Sequence, residues 1–279
     1  MLKYELIPEQ LLHEGVITQD NLFQPESCPK EVVLWTHDEV YYDKLTRQQL
    51  TASEQRKIGF PQSPQLTARE LVIAQGTIDC CYYAMQYGVS LNVAGGTHHA
   101  YADHGEGFCL LNDMAIAANY LLHKEQLHKI IIIDLDVHQG NGTAKLFQHE
   151  PRVYTFSMHG AHNYPFHKEV SDLDVPLLDG TDTETYLSLL HTTLPRLLDE
   201  VQPAFAFFLS GVDILETDKF GKLKVSIEGC RQRDRFVFRE LKKRNIPVAV
   251  AMGGGYSPDI RTIVTAHCNT FKEAGEIVG

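Results

Sequence analysis

Two aspartates and a histidine are the residues of this chain that most readily suggest metal chemistry. Asp136 and His138 stand two positions apart after an apolar run of four isoleucines, and Asp213 follows the run AFAFFLSGV. In an extended segment, residues i and i+2 point the same way, so Asp136 and His138 can face one ion. Carboxylate and imidazole ligands suit zinc and similar divalent metals, and Asp213 would be the third ligand. The alternative is that both aspartates cap the helices that follow them.

A second group of residues could move protons near such a metal. His98 and His99 follow two glycines in GGTHHA, and adjacent histidines can divide the roles of base and positive charge. Asp134 precedes Asp136 by two positions and is a natural partner for one histidine. Tyr256 ends the turn GGGY, where its phenol could donate to an oxyanion or simply cover a strand-to-helix turn. Together these residues predict metal-assisted hydrolysis of an amide or ester.

The elements that must position these residues alternate along the chain. Short apolar runs predict strands at Val32–Thr36, Ser90–Ala94, Lys129–Leu135, Val153–Ser157, Ala204–Ser210 and Pro247–Met252. Longer patterns predict helices at Leu66–Tyr87, Asp113–His128, Thr183–Val201, Ile227–Arg244 and Pro258–Ala274, and the polar stretch Thr46–Thr67 is predicted to be a loop. This order predicts a single three-layer α/β domain over residues 1–279, with a mostly parallel sheet. Polar clusters follow five of the strands, and the carboxyl ends of parallel strands form ligand-binding edges.

Composition narrows the function further. The 279 residues include 25 basic and 36 acidic residues, and the net charge of −11 disfavours binding to nucleic acid. The chain has no apolar run long enough to span a membrane, and its first residues, MLKYELIPEQ, lack the apolar region of a signal peptide. Six cysteines without a C-x-x-C pair are typical of reduced thiols, so we expect a cytoplasmic protein.

The motifs GGTHHA, GFCLLND, DLDVHQGNG, SGVDILETD and GGGY, taken in this order, resemble those of the zinc-dependent histone deacetylase superfamily. The resemblance extends from about Gly59 to the C-terminal helix. The run DLDVHQGNG, with Gln139 and Asn141, is most similar to the class IV branch. The resemblance implies the arginase/deacetylase fold and a hydrolase that removes acetyl or longer acyl groups from N-acyl-lysine in proteins or peptides.

The resemblance also implies roles for single residues. Asp136, His138 and Asp213 match the zinc ligands, although the same ligands also suit Fe²⁺. The catalytic residues that it implies are His98, His99, Tyr256, Asp134 and Asn141. The substrate-binding residues are Gly107, Phe108, Tyr164, Phe220, Gly254 and Gly255. A structural potassium ion would lie on Asp134, Asp136, His138, Ser157 and Met158.

Three departures from the family pattern affect these expectations. Many relatives carry aspartate where Asn141 stands, and a neutral amide stabilises the imidazolium of His99 less. Relatives usually have a strand and a loop before the segment that matches MLKYELIP, so the sequence predicts either a missing edge strand or a different start. Phe220 occupies the position at which polyamine-selective relatives place an acidic residue, which favours an apolar or peptide substrate.

Other functions remain in competition. A ureohydrolase of the same fold needs a D-x-H-x-D run, but here the run ends in Gly140, so a bridging carboxylate is missing. A catalytically inactive binding protein is disfavoured because every catalytic position is filled. A deacetylase for a small molecule, such as an acetylpolyamine, would have the same catalytic core. The sequence predicts neither the acyl length nor the oligomeric state.

Overall fold

The strands of this protein form one sheet in which every neighbouring pair is parallel. The computed structural model describes residues 2–278. The strands are β1 (Val89–Asn92), β2 (Ile130–Asp134), β3 (Val153–Gly160), β4 (Leu173–Leu177), β5 (Phe205–Leu209) and β6 (Val248–Ala251). Their order across the sheet is β1-β6-β5-β2-β3-β4, so β2 and β5 lie side by side at the centre.

Helices cover both faces of the sheet. They are α1 (Lys3–His13), α2 (Lys30–Val33), α3 (Glu39–Thr46), α4 (Ala52–Ile58), α5 (Pro64–Tyr87), α6 (Asp113–Lys124), α7 (Asn141–Phe147), α8 (Thr183–Val201), α9 (Ile227–Lys243) and α10 (Ile260–Val278). Several begin at a side-chain cap, as in α8, where Asp182 accepts a hydrogen bond from the backbone N–H of Thr185. None of the helices described here is both long enough and apolar enough to cross a membrane.

Alternation along β2 explains the three layers. Ile130 and Ile132 pack in the cluster that includes residues of α5 and α6, whereas Ile131 and Ile133 pack in the cluster that includes residues of α8 and α9. Side chains of a strand point alternately to opposite faces, so a strand that is apolar on both faces must be covered twice. The predicted α/β architecture with a parallel sheet is therefore confirmed.

The structure corrects the sequence prediction in three places. Val32–Thr36 is not a strand, because α2 and a turn occupy this segment and bury Val32 and Val33. A short apolar run fits a buried helix as well as a strand. The sheet instead gains β4, an edge strand that contains a proline. The segment Thr46–Thr67 is not a continuous loop, since it contains α4, which begins at a capping box formed by Thr51 and Glu54.

Of the remaining predicted elements, α8 occurs with the predicted bounds and the others occur with one or both ends shifted. Residues 3–13, which precede the region of motif resemblance, form α1, and this helix packs against α10. Met1 and Gly279, the two ends of the predicted domain, lie outside the described residues.

Candidate metal-centred active site

Asp136, His138 and Asp213 meet at the carboxyl edge of the sheet, just beyond the ends of β2 and β5. One ligand atom from each lies within 4.8 Å of the others. His138 Nδ1 is 3.0 Å from Asp136 Oδ1 and 3.2 Å from Asp213 Oδ2. The two carboxylates are buried, and His138 is nearly so. Two carboxylates and one imidazole with an open fourth side can hold a divalent cation.

The surroundings of Asp213 test whether a cation fits. Its Oδ1 accepts a hydrogen bond from the Val137 N–H, whereas its buried Oδ2 makes no hydrogen bond of good geometry, although His138 Nδ1 lies 3.2 Å away. Burial, and then repulsion from Asp136, raises the pKa of Asp213. Gly254 leaves the necessary space, because a Cβ at this position would lie 1.9 Å from Asp213 Oδ2. An orphaned carboxylate oxygen beside a second carboxylate is what a bound cation would satisfy, so the site fits a metal.

The two adjacent histidines have different partners. His98 Nδ1 donates to Asp134 Oδ2 at 2.7 Å, and His99 Nδ1 lies 2.6 Å from Asn141 Oδ1. Burial lowers the pKa of His98, but the charge of Asp134, its hydrogen bond to the ring and the charge of Asp136 together outweigh burial, and the net shift is upward. Burial lowers the pKa of His99 well below its usual value, and the positive charges of His98 and His138 lower it further. The hydrogen bond to Asn141 acts in the opposite direction and raises the pKa of His99, and the comparison with an aspartate at position 141 remains a prediction.

Tyr256 and the predicted substrate-binding residues surround a pocket of 870 Å³ above these groups. Its lining includes His98, His99, Gly107, Phe108, Tyr164, Phe220, Gly254, Gly255 and Tyr256. The Tyr256 ring lies 6.2 Å from that of Phe108 and 5.0 Å from that of Phe220. Burial, and then the charges of Asp213 and Asp136, raises the pKa of Tyr256, so its phenol keeps its proton.

Gly107 allows the walls of the pocket to approach His99 closely. A Cβ on Gly107 would lie 2.7 Å from the His99 ring and 3.0 Å from the Tyr164 ring. The Tyr164 ring stands edge-on to that of His99, with 4.9 Å between their centres. Phe108 is 43% exposed and Phe220 is 52% exposed, so both lie near the mouth.

The residues expected to hold potassium lie on β2 and β3 or just after β2. Asp134 and Ser157 are register partners on β2 and β3, and both are buried. Met158 is also buried, and the Asp136 N–H donates to Asp134 Oδ1 at 3.1 Å. The five residues named from the resemblance therefore share one region beside the metal ligands. Which ion they bind remains a prediction.

The protein-family model for the histone deacetylase domain matches residues 2–271 of this chain. The chain belongs to the histone deacetylase family. It is therefore a deacetylase-type amidohydrolase, in a family that is generally zinc-dependent. The class IV branch remains a prediction.

Relatives of this histone deacetylase family member cover nearly its whole length. An uncharacterised protein of Picosynechococcus is 39% identical over 99% of this chain and 92% of its own length. Histone deacetylase 2 of Arabidopsis thaliana is 29% identical over 99% of this chain and 73% of its own. Two solved structures, the HDA15 HD domain and an HDAC homologue complexed with SAHA, superpose with TM-scores of 0.81 and 0.82. At 21% and 23% identity, covering 99% of this chain and 86% and 81% of theirs, they show that the fold is shared.

Sequence reasoning missed two buried cations of this histone deacetylase family member. Lys3 Nζ donates to Gly253 O at 3.1 Å, and burial lowers the pKa of Lys3 to about 8. Arg233 Nη1 donates to Leu135 O at 3.2 Å and to Gly211 O at 2.6 Å. Arg233 thus joins the segments that lead into Asp136 and Asp213. Neither cation lies in a motif, and neither position differs locally from an ordinary helix surface.

Proposed function

We propose that this protein is a metal-dependent hydrolase that removes acyl groups from N-acyl-lysine in peptides or proteins. One observation carries the proposal. Three metal-type ligands, two histidines with separate partners and a protonated tyrosine converge at the floor of a pocket walled by aromatic rings. Such a set suits attack of water on a polarised amide.

The ligands that would hold the metal are Asp136, His138 and Asp213, and zinc or Fe²⁺ suits them. When bound, such an ion supplies Lewis acidity, which lowers the pKa of a water molecule and polarises the acyl oxygen. Asp134, Ser157 and Met158, with the backbone near Asp136 and His138, would hold potassium as a structural ion. That ion would offset negative charge beside the paired carboxylates.

The chain's own groups would handle the protons. His99 is the base that takes the proton from water, since its low pKa keeps the ring neutral. His98 is paired to Asp134 and supplies positive charge beside it. Tyr256 keeps its proton and donates it in a hydrogen bond to the developing oxyanion. A protonated histidine then returns a proton to the leaving lysine amine, and the free acid is released.

The mouth of the pocket favours a peptide over a polyamine. Four exposed cations line it, namely Arg56, Lys57, Lys219 and Lys222. Lys222 Nζ lies 3.7 Å from Asp179 Oδ2, and the side chains of the other three have no hydrogen-bond or ion-pair partner in residues 2–278. The carboxylates that line the same pocket, Glu70, Asp136 and Asp213, are all buried.

A positive mouth repels a polycation, attracts an acidic substrate and does not oppose a neutral one. It therefore argues against an acetylpolyamine and for an acyl-lysine with neutral or acidic neighbours. Phe220, which lies at this mouth, offers an apolar contact to a peptide rather than a carboxylate to an amine. An acylated small molecule of another kind would have the same catalytic core and remains the alternative.

The test is turnover by the zinc-loaded protein on lysine peptides that carry acyl groups from acetyl to myristoyl. N-acetylputrescine is assayed in parallel, and Asp136→Ala is the inactive control. Each peptide is made with glutamates or with lysines beside the acyl-lysine. We expect turnover of peptides, and a higher kcat/KM for the acidic series that declines with salt. Turnover of N-acetylputrescine alone would overturn the proposal, and the optimal chain length would report the depth of the pocket.

A further inference from the structure

We propose that Glu106 is a positioning residue that selects the tautomer of His99 by fixing the orientation of the Asn141 amide between them. The inference rests on the proposed function, in which His99 takes a proton from water. Glu106 lies outside the residues named for the family's chemistry, in the loop just before Gly107.

Asn141 is placed between His99 and Glu106. Its Oδ1 lies 2.6 Å from His99 Nδ1, and its Nδ2 lies 2.6 Å from Glu106 Oε1. The two ends of an amide have nearly the same shape, so its partners decide which way round it lies. An ionised carboxylate can only accept hydrogen bonds, so the NH₂ of Asn141 must face Glu106.

The tautomer of His99 follows from this orientation. With its NH₂ toward Glu106, Asn141 presents its oxygen to His99. An oxygen acceptor requires the proton to be on His99 Nδ1, which leaves the lone pair on Nε2. That nitrogen is the one free to take a proton from water in the pocket.

Tyr101 supports the same orientation independently. Its hydroxyl lies 3.4 Å from Glu169 Oε1, to which it donates, and 3.0 Å from Asn141 Nδ2, from which it accepts. Both hydrogens of the Asn141 amide are therefore used, one by Glu106 and one by Tyr101.

Burial makes this arrangement energetically important. Asn141 and His99 are 1% and 5% exposed, so water does not readily replace a lost partner. Burial raises the pKa of Tyr164, and the neighbouring Glu106 raises it further. Each catalytic histidine thus has a carboxylate behind it. Asp134 contacts His98 directly, and Glu106 reaches His99 through an amide.

Exchanging the amide of Asn141 with the carboxylate of Glu106 tests the inference. Asn141→Asp places two carboxylates 2.6 Å apart, judged from the present contact, and should lower kcat at least about tenfold with little change in KM. Adding Glu106→Gln restores the contacts of residue 141 with His99 and with residue 106, because the new amide donates to the new carboxylate and the carboxylate accepts from His99 Nδ1. Only the contact with Tyr101 changes, since its hydroxyl then donates either to Glu169 or to the new carboxylate. We expect the double variant to recover to within about threefold of wild type.

Glu169→Gln is the matched control, since Glu169 contacts Tyr101 and does not contact Asn141. The combination of Asn141→Asp with Glu169→Gln should stay as low as Asn141→Asp alone. Recovery in this control, or no recovery with Glu106→Gln, would overturn the role of Glu106.

A second readout does not depend on turnover. Long-range ¹H–¹⁵N NMR distinguishes the two neutral tautomers of a histidine ring, and a His99→Ala sample assigns the signals. We expect a proton on Nδ1 of His99 in wild type and in the double variant, and a mixture of tautomers in Glu106→Leu. A proton on Nε2 in wild type would refute the inference. If wild type turns over no acyl-lysine but shows the Nδ1 tautomer, the proposed function fails and the positioning role stands.

Discussion

His37 should make this protein lose stability in mild acid. Its Nδ1 lies 2.9 Å from Tyr101 O, a carbonyl that can only accept, so Nδ1 carries the proton. Its Nε2 accepts a hydrogen bond from the Asn112 N–H at 3.0 Å. The ring is 2% exposed and therefore must stay neutral to keep both contacts. It holds the loop just after His99 against the start of α6.

The sign and size of the effect follow from the pKa. Burial lowers the pKa of His37 from 6.5 to about 4. A histidine whose pKa is lowered by folding contributes stability above its unfolded pKa, and that contribution is lost as pH falls from 6.5 through 4. Between pH 7.5 and pH 5 the loss amounts to about 2 kcal/mol, taken from the two pKa values at 1.36 kcal/mol per unit.

The assay is urea unfolding of wild type and His37→Gln at pH 7.5 and pH 5. Glutamine can donate to Tyr101 O and accept from Asn112, and it does not titrate. The quantity compared is the change in unfolding free energy between pH 7.5 and pH 5. The other titrating groups contribute equally to this change in both proteins, so the absolute stability of the variant does not matter. We expect wild type to lose about 2 kcal/mol more than the variant on acidification. If the two proteins lose the same free energy within about 0.5 kcal/mol, the reasoning from the buried neutral ring is refuted.

Three further substitutions examine the site and its support. Asp213→Ala should abolish bound zinc, measured by elemental analysis, together with turnover, because it removes a ligand and leaves two. Tyr256→Phe should lower kcat by about 10²–10³ with zinc retained, as for other oxyanion donors, and full activity would contradict that role. Arg233→Met should cost about 3–5 kcal/mol in urea unfolding, because it leaves Asp234 buried without its ion-pair partner. The double variant Arg233→Met, Asp234→Leu should regain much of that loss, whereas equal losses would contradict the explanation.

The central strands could be predicted because their sequences fit few structures other than a buried strand. A run such as Ile130–Ile133 that is apolar on both faces needs cover on both sides, and a parallel sheet provides it. The edge strand β4 could not be predicted in this way, because it is partly exposed and contains a proline. The prediction of a strand at Val32–Thr36 is wrong because a short buried helix and a short buried strand have similar compositions.

The residues of the candidate site that lie in local sequence motifs could be predicted. His98, His99 and the proposed metal ligands follow strand ends, where the fold brings polar groups to one edge. Arg233 could not be found in this way, since it reaches the site from α9 through contacts 98 and 22 residues away in the chain. Glu106 carried a weak signal as the acidic residue before GFC, but its contact with Asn141 depends on the folded loop.

The charges of the pocket also bear on how the product leaves. In the proposed reaction, hydrolysis turns a neutral acyl-lysine into an ammonium ion, and this cation must pass the mouth lined by Lys219 and Lys222. Like charges repel, so the positive mouth should weaken product binding without opposing entry of the neutral substrate.

Product inhibition by the deacylated peptide measures this effect. We expect wild type to be inhibited weakly, and the charge-reversed variant Lys219→Glu, Lys222→Glu to bind the product more tightly, about three- to tenfold at low salt. The neutral substrate should show a smaller change in KM, and high salt should remove the difference. Because both proteins share the same buried site, equal inhibition at low salt would mean that the mouth is too well solvated for its charge to reach the leaving lysine.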